Sequence, residues 1–214
     1  MKISLSLLES DSDIRKMILD EIIQTLQKAL SSAARVLPDQ IKNIVKDALK
    51  SEPEYQSLMS GNLRLEFGIA DVSNVDLVID RLVDTLSLNI DTLKRSNNGV
   101  KGGITITMMK SDDFNGVISD ESASVQDANK GYSLPWLEWL LLRGNQIIVR
   151  KYNVSFGSYP TSRSGGAVMV ESNSSWRVPP EFAGTQSNNW TTRAIEKIEQ
   201  NIINTLRSSI EDNL

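Results

Sequence analysis

Neither cysteine nor histidine occurs in these 214 residues, so the fold must be held by non-covalent contacts between the remaining side chains and the backbone. No disulfide framework can staple it, and no zinc site of the usual thiolate or imidazole kind can nucleate it. The same absence removes the Ser-His-Asp triad, the cysteine nucleophile and the CxxC redox centre. Carboxylate, lysine and tyrosine chemistry stay open. What remains favours shape, packing and binding over catalysis.

The chain is long enough to bury a sizeable core. Its apolar fraction of 40% and aromatic fraction of 6% suggest a fold with much surface, or one with a partner-covered face. A net charge of −4 gives no global field that would draw it to nucleic acid or to an anionic membrane. Locally the balance differs: between Ser133 and Val178, Arg143, Arg150, Lys151, Arg163 and Arg177 face only Glu138 and Glu171. No apolar signal segment is evident at the N-terminus, and the longest apolar cluster, Leu134–Leu142, is broken by Glu138 and far short of a membrane span. These features predict a soluble intracellular product, with no membrane partner.

Helical periodicity dominates the start. Ile14, Ile18, Ile22, Leu26 and Leu30 recur every fourth residue, behind acidic capping residues at Asp11–Asp13. Pro38 opens a second helix with Ile41, Ile44, Val45, Ala48 and Leu49 on its apolar face. A short helix from Pro53 is expected to stop at Gly61 in the left-handed conformation, and the alternation of Leu63, Leu65 and Phe67 with Arg64 and Glu66 predicts a strand. Val75–Leu86 reads as helix and Ile104–Met108 as strand, with a helix-to-strand boundary near Leu86–Ile90. Lys110–Gly131 is polar and aperiodic, and is read as a long excursion ordered only against a partner.

Next comes a compact helix, capped by Ser133, with Pro135 in its first turn and Gly144 as terminator. Strands are expected at Ile147–Val154 and Ala167–Val170, flanking a Gly157–Gly166 loop. After Val178-Pro179-Pro180 an extended segment leads to a final helix capped near Asn188 or Asn189, with Ile195, Ile198, Ile202 and Leu206 on its face. No repeat or linker divides the chain, so residues 1–214 are expected to form a single α+β domain with an excursion at about 110–131.

Candidate chemistry is thin. Asp112-Asp113 and Asp120-Glu121 offer oxygen ligands for a divalent cation but lack EF-hand spacing, and Asp76, Asp80 and Asp84 read as a solvated helix face. The Gly157–Gly166 loop carries neither GxxxxGK[ST] nor a strand-to-helix GxGxxG, so it is read as a surface loop whose Tyr159 and Arg163 are placed to meet a partner subunit or a DNA backbone. Trp136 and Trp139 read as core anchors, because a stacking platform for single strands needs a denser basic groove than Arg143 supplies. For Trp176 and Trp190, interface anchoring and core burial both stand.

Three segments, in order, resemble the neck and tail-completion proteins of tailed bacteriophages. Leu58-Met59-Ser60-Gly61-Asn62-Leu63-Arg64 is similar to the family's Ser/Thr-Gly-x-Leu-Arg signature, which joins a helix to the first strand. Trp136-Leu137-Glu138-Trp139 through Gly144 stands where the family has a short helix with an aromatic, a glutamate and a glycine. Val178-Pro179-Pro180-Glu181-Phe182, before a long helix, resembles the proline-aromatic segment leading into the last helix.

The match runs roughly over Ser60–Arg207, behind an N-terminal helical pair. The resemblance implies an α+β fold: a small antiparallel sheet packed by long helices, with extended loops. It implies a non-enzymatic ring subunit, without cofactor, metal or catalytic residues, that joins the head connector to the tail as a neck, tail-completion or tail-terminator component. Its partners would be identical subunits, neighbouring connector and tail proteins, and transiently the DNA in the channel. It would be made in the bacterial host cytoplasm and reside in the virion. Gly61, Leu63, Arg64, Tyr159, Arg163, Trp176, Pro179, Pro180, Phe182 and Trp190 are the positions expected to carry fold or interface. The alternatives are a metal-dependent hydrolase or nuclease using Asp and Glu alone and, more weakly given the acidic balance, a plain DNA-binding module.

Overall fold

A computed structural model describes residues 10–97, 99–108, 110–126, 131 and 133–214. The chain gathers into two compact units, one from the described residues of Met1–Gln40, Ser87–Thr107 and Ile203–Leu214, the other from those of Ile41–Leu86 and Met108–Ile202. Among the described residues lie eight α-helices and four two-stranded antiparallel ladders, so the fold is α+β.

In the first unit Ser10 caps α1 (Asp11–Ala33), its hydroxyl accepting a hydrogen bond from the Asp13 N–H at 3.2 Å. Only the C-terminal end of the expected apolar stripe is covered. Ala29, Leu30 and Ala33 are buried, whereas Met17, Ile18 and Ile22 stand exposed. Against this helix lie β2 (Lys94–Ser96) and β3 (Gly99–Lys101), paired with each other, while β1 (Ser87–Ile90) pairs with β4 (Ile104–Thr107). Gln27 Oε1 accepts from the Leu93 N–H at 3.0 Å, and Arg95 pairs with Asp20 at 3.1 Å.

The second unit is built on α2 (Leu37–Ser51), whose Ile41, Val45, Ala48 and Leu49 are buried as their spacing predicts. A short helix, α3 (Pro53–Ser60), follows. Two expectations fail at its end. Gly61 is extended (φ −105°, ψ −161°), not left-handed, and is glycine for want of room: a Cβ there would lie 2.8 Å from Ser57 Cα. The predicted strand is instead a helix, α4 (Asn62–Phe67). The physical reason lies in the pattern itself, since Leu63 and Phe67, two alternations apart, are also four apart, and both are buried on one helical face. Gly68, at φ 71°, is the residue that takes the left-handed C′ role.

Helix α5 (Ser73–Asp84) buries Val75, Val78, Ile79, Leu82 and Val83. The polar excursion is also corrected, since much of it is ordered by its own chain. Helix α6 (Ser111–Ile118) forms with Asp112 and Asp113 in its first turn, where the dipole favours carboxylates, and Val117 is buried. A 3₁₀ turn at Glu121–Ala123 is capped by Asp120, which accepts from the Ser122 N–H at 2.9 Å and pairs with Arg81 at 2.6 Å. Strand β5 (Val125–Gln126) then pairs with β6 (Ser133–Leu134); residues 127–130 of the excursion lie outside the described ones.

Ser133 sits on β6 and does not cap the next helix. Pro135 directly precedes α7 (Trp136–Leu142), and Gly144, at φ 54°, ends it as expected. A long hairpin follows, β7 (Ile147–Phe156) with β8 (Ala167–Arg177), the second strand running well beyond the predicted Val170. Asn189 caps α8 (Trp190–Glu211), its Oδ1 accepting from the Thr192 N–H at 3.1 Å. The predicted face of α8, Ile195, Ile198, Ile202 and Leu206, is half-buried, and full burial is confined to Trp190, Thr191 and Ala194.

Two sets of ion pairs organise this second unit. Lys42, Lys46 and Lys50 on α2 meet Asp84, Asp80 and Asp76 on α5, the outer pairs at 2.8 and 2.6 Å, which makes the two helices antiparallel. The three aspartates are therefore partnered, not simply solvated. Glu52 and Glu54, buried at the start of α3, meet Lys197 (2.7 Å) and Arg193 of α8.

Candidate functional site

The β7–β8 hairpin is the feature least accounted for by the unit's own packing. Its register sets Tyr152, Val154 and Phe156 opposite Glu171, Met169 and Ala167, so these six side chains share one face. Tyr152 is 40% exposed, Phe156 46% and Met169 39%, while Ile147 and Val170 add further exposed apolar surface. Among the described residues no third strand pairs with either edge. The ladder is irregular around Lys151, which adopts φ 59°, and the register shifts there.

Between this hairpin, α4 and the start of α7 lies a cavity of about 770 Å³. Leu65, Trp139, Tyr152, Val154 and Met169 form apolar walls, with Arg163 and Ser162 from the hairpin's connecting loop. Phe67 helps fix the floor, packing edge-on against Trp176 with centroids 5.8 Å apart and tilted against Trp136 at 6.4 Å.

Glu66 is the carboxylic acid among the described residues that line this cavity. Burial pushes its carboxyl up to about 7, the nearby Glu181 carboxylate adds to the rise, and the Trp176 indole N–H opposes it. The indole lies close enough to favour the charged acid, yet no hydrogen bond of ordinary geometry closes between them. Three of the four buried side-chain polar atoms without a hydrogen-bond partner among the described residues belong to this cavity: Glu66 Oε2, Ser162 Oγ and Trp176 Nε1.

The predicted positions fall into separate groups. Gly61, Leu63 and Arg64 form the α3–α4 corner, where the Leu63 N–H donates to Ser57 Oγ at 3.1 Å and Arg64 Nε to the Ile69 carbonyl at 3.3 Å. Arg163 and Trp176 meet at the cavity, and the Arg163 guanidinium reaches over Gly68. Tyr159 stays within its own loop, its hydroxyl 3.1 Å from Ser155 Oγ. Pro179 and Pro180 lead into a turn in which the Phe182 and Ala183 N–H groups donate to the Pro179 carbonyl. Phe182 is half-buried. Trp190 is fully buried and donates from Nε1 to the Leu49 carbonyl at 3.0 Å; it and Trp176 are core anchors of their own chain, the second of the two readings left open above.

Residue-by-residue reading missed Glu66 because a strand would have turned it outward with Arg64. It placed Trp139 in the core, whereas Trp139 is half-buried at the cavity wall. The signal that was present but unread is the lysine set Lys42, Lys46 and Lys50, with the same period of four as the aspartates that it meets. Asp112 and Asp113 are exposed, and no group of three carboxylates placed to hold a metal ion occurs among the described residues. Nor, among those residues, is any helix long and apolar enough to cross a membrane. The chain matches no protein-family model, no curated protein and no solved structure.

Proposed function

We propose that this chain is a non-enzymatic assembly subunit, and within that class a ring-forming component of the neck or tail end of a tailed bacteriophage, joining the head connector to the tail. The observation that carries the reading is the β7–β8 hairpin. Among the described residues its two strands stand without a third, and apolar side chains lie open along it. A lone hairpin is marginal in water, unpaired edges invite pairing, and apolar patches of this kind mark contact surfaces. A subunit that assembles through such an arm leaves it uncovered until its neighbour arrives.

The phage assignment rests on the order of the resembling segments. The short helix Trp136–Leu142 ahead of Gly144, and the proline-aromatic segment ahead of a long last helix, support the reading. The Ser60–Arg64 segment does not, because it joins two helices instead of a helix and a strand. Ring closure calls for a heterologous interface in which different patches meet head to tail. The hairpin supplies one such patch and the exposed stripe of α1 a chemically different one.

Immunogold labelling of phage particles made with this protein tests the assignment. Gold at the head–tail junction is the expected result, and unlabelled, normally assembled particles would overturn it. Asp112→Ala is expected to leave particle yield unchanged, whereas Phe156→Asp on the hairpin is expected to abolish it.

A further inference from the structure

The cavity beside the hairpin has a chemistry of its own, which the assembly reading does not use. Its volume of about 770 Å³ lies within the range of small-molecule sites, and its walls are mostly apolar with a few polar atoms. Those polar atoms are the unpartnered Glu66 Oε2, Ser162 Oγ and Trp176 Nε1. Native chains leave few buried polar groups unpaired, and the two that can accept, Glu66 Oε2 and Ser162 Oγ, are the ones a donor-bearing guest would complete. Trp176 is 4% exposed and fixed by packing against Phe67, and its indole N–H lies beside the Glu66 carboxyl. Ser162 can both donate and accept.

The charges decide the sign of the guest. Glu66 on α4 lies beside Trp176 on β8 and feels Glu181 from the proline segment, so two acids bear on one another here. Among the described residues the cation lining the cavity is Arg163, on the connecting loop, with its side chain exposed. Inside, the half-buried carboxylate is attracted to a cation and repels an anion. Trp139 and Tyr152 supply aromatic rings to the walls.

We propose that this cavity is a binding site for an organic cation with an apolar body, an ammonium or guanidinium group placed at Glu66 with its hydrocarbon part against Leu65, Trp139 and Tyr152. The same chemistry is offered by a free amine or by a lysine or arginine side chain of another protein. Binding draws on the ionised form of Glu66, so it is linked to release of a proton around neutral pH.

The test is a fluorescence titration, because Trp139 and Trp176 both line the cavity. Phenethylamine, its neutral counterpart phenethyl alcohol, and N-acetyl-lysine amide are the probes, added to the full chain. Phenethylamine is expected to bind saturably at pH about 8 and at least about tenfold more tightly than the alcohol, the size of one charge-assisted hydrogen bond. Its affinity is expected to fall about tenfold between pH about 8 and pH about 6, as Glu66 takes up a proton. Glu66→Gln is expected to erase both the preference for the amine and the pH dependence, with thermal melts verifying that the variant is folded. Tighter binding of N-acetyl-lysine amide than of phenethylamine would support the proposal with a protein side chain as the source, and the reverse order would support it with a free amine. Equal affinity for amine and alcohol, or an unchanged preference in Glu66→Gln, would overturn it, and would do so without bearing on the virion assignment.

Discussion

At the scale of single residues, Glu66 is an acid placed where its charge is unwelcome. Its carboxyl is raised from the ordinary value of 4.5 to about 7 in the folded chain. A raised folded value means that Glu66 contributes fully at pH below its unfolded value, and that the contribution is lost as pH climbs through about 7. Replacing it by glutamine removes that loss. Glu66→Gln is expected to be close to neutral in stability at pH about 4, and to stabilise the chain at pH about 8 by about 2 kcal/mol, measured by denaturant unfolding at both values. This side chain was hidden by an ambiguity of spacing. Five residues of alternation from Leu63 to Phe67 satisfy a strand and a helix equally, and only the helix brings Glu66 to the cavity. Gly61 was hidden differently, because its reason is a backbone 2.8 Å away and no property of its own neighbours in sequence reveals that.

At the scale of elements, the two sets of ion pairs look alike on paper and differ in energy. The α2–α5 ladder lies near the surface, its lysines about a third exposed and its aspartates more so. Pairs of that kind contribute little, so Lys46→Ala is expected to cost under about 1 kcal/mol, less still in high salt. The Asp76 carboxyl is held down chiefly by its bond to Lys50, so its share is present above pH about 4 and lost as pH falls through the lowered folded value. Glu54 is another case, 1% exposed and facing Arg193. Removing Arg193 strands a buried carboxylate, and Arg193→Ala is expected to cost about 3 kcal/mol by the same unfolding measurement. The ladder's period of one helical turn also permits a slip by one rung with two pairs kept, so the apolar contacts must set the axial register. Elements with a long, unambiguous period were readable, as α2, α5 and α8 were, along with the ends of β1, β4 and β7. Helix α6 was not, since it has few apolar residues and among them only Val117 is buried.

At the scale of the whole molecule, the α+β class was legible from the mixture of periods, whereas the cavity was not. Its walls come from α4, the start of α7 and the hairpin, segments that no local pattern relates to one another. The exposed apolar residues of the hairpin lead to a measurement on the intact chain. Sedimentation at rising concentration is expected to show self-association, and the combined variant Tyr152→Ser, Phe156→Ser, Met169→Ser is expected to remain monomeric over the same range. A chain that stays monomeric at every concentration would count against assembly through its own copies. The contacts that α8 makes have a further consequence, in time. Trp190 bonds to Leu49 across 141 residues, and Glu52 and Glu54 wait for cations 145 and 139 residues downstream. Contacts so far apart close late, and during synthesis the second unit cannot complete itself until Lys197 has left the ribosome. A chain cut short before Trp190 would carry two stranded acids and an open core, and would be marked for removal before it could enter any assembly.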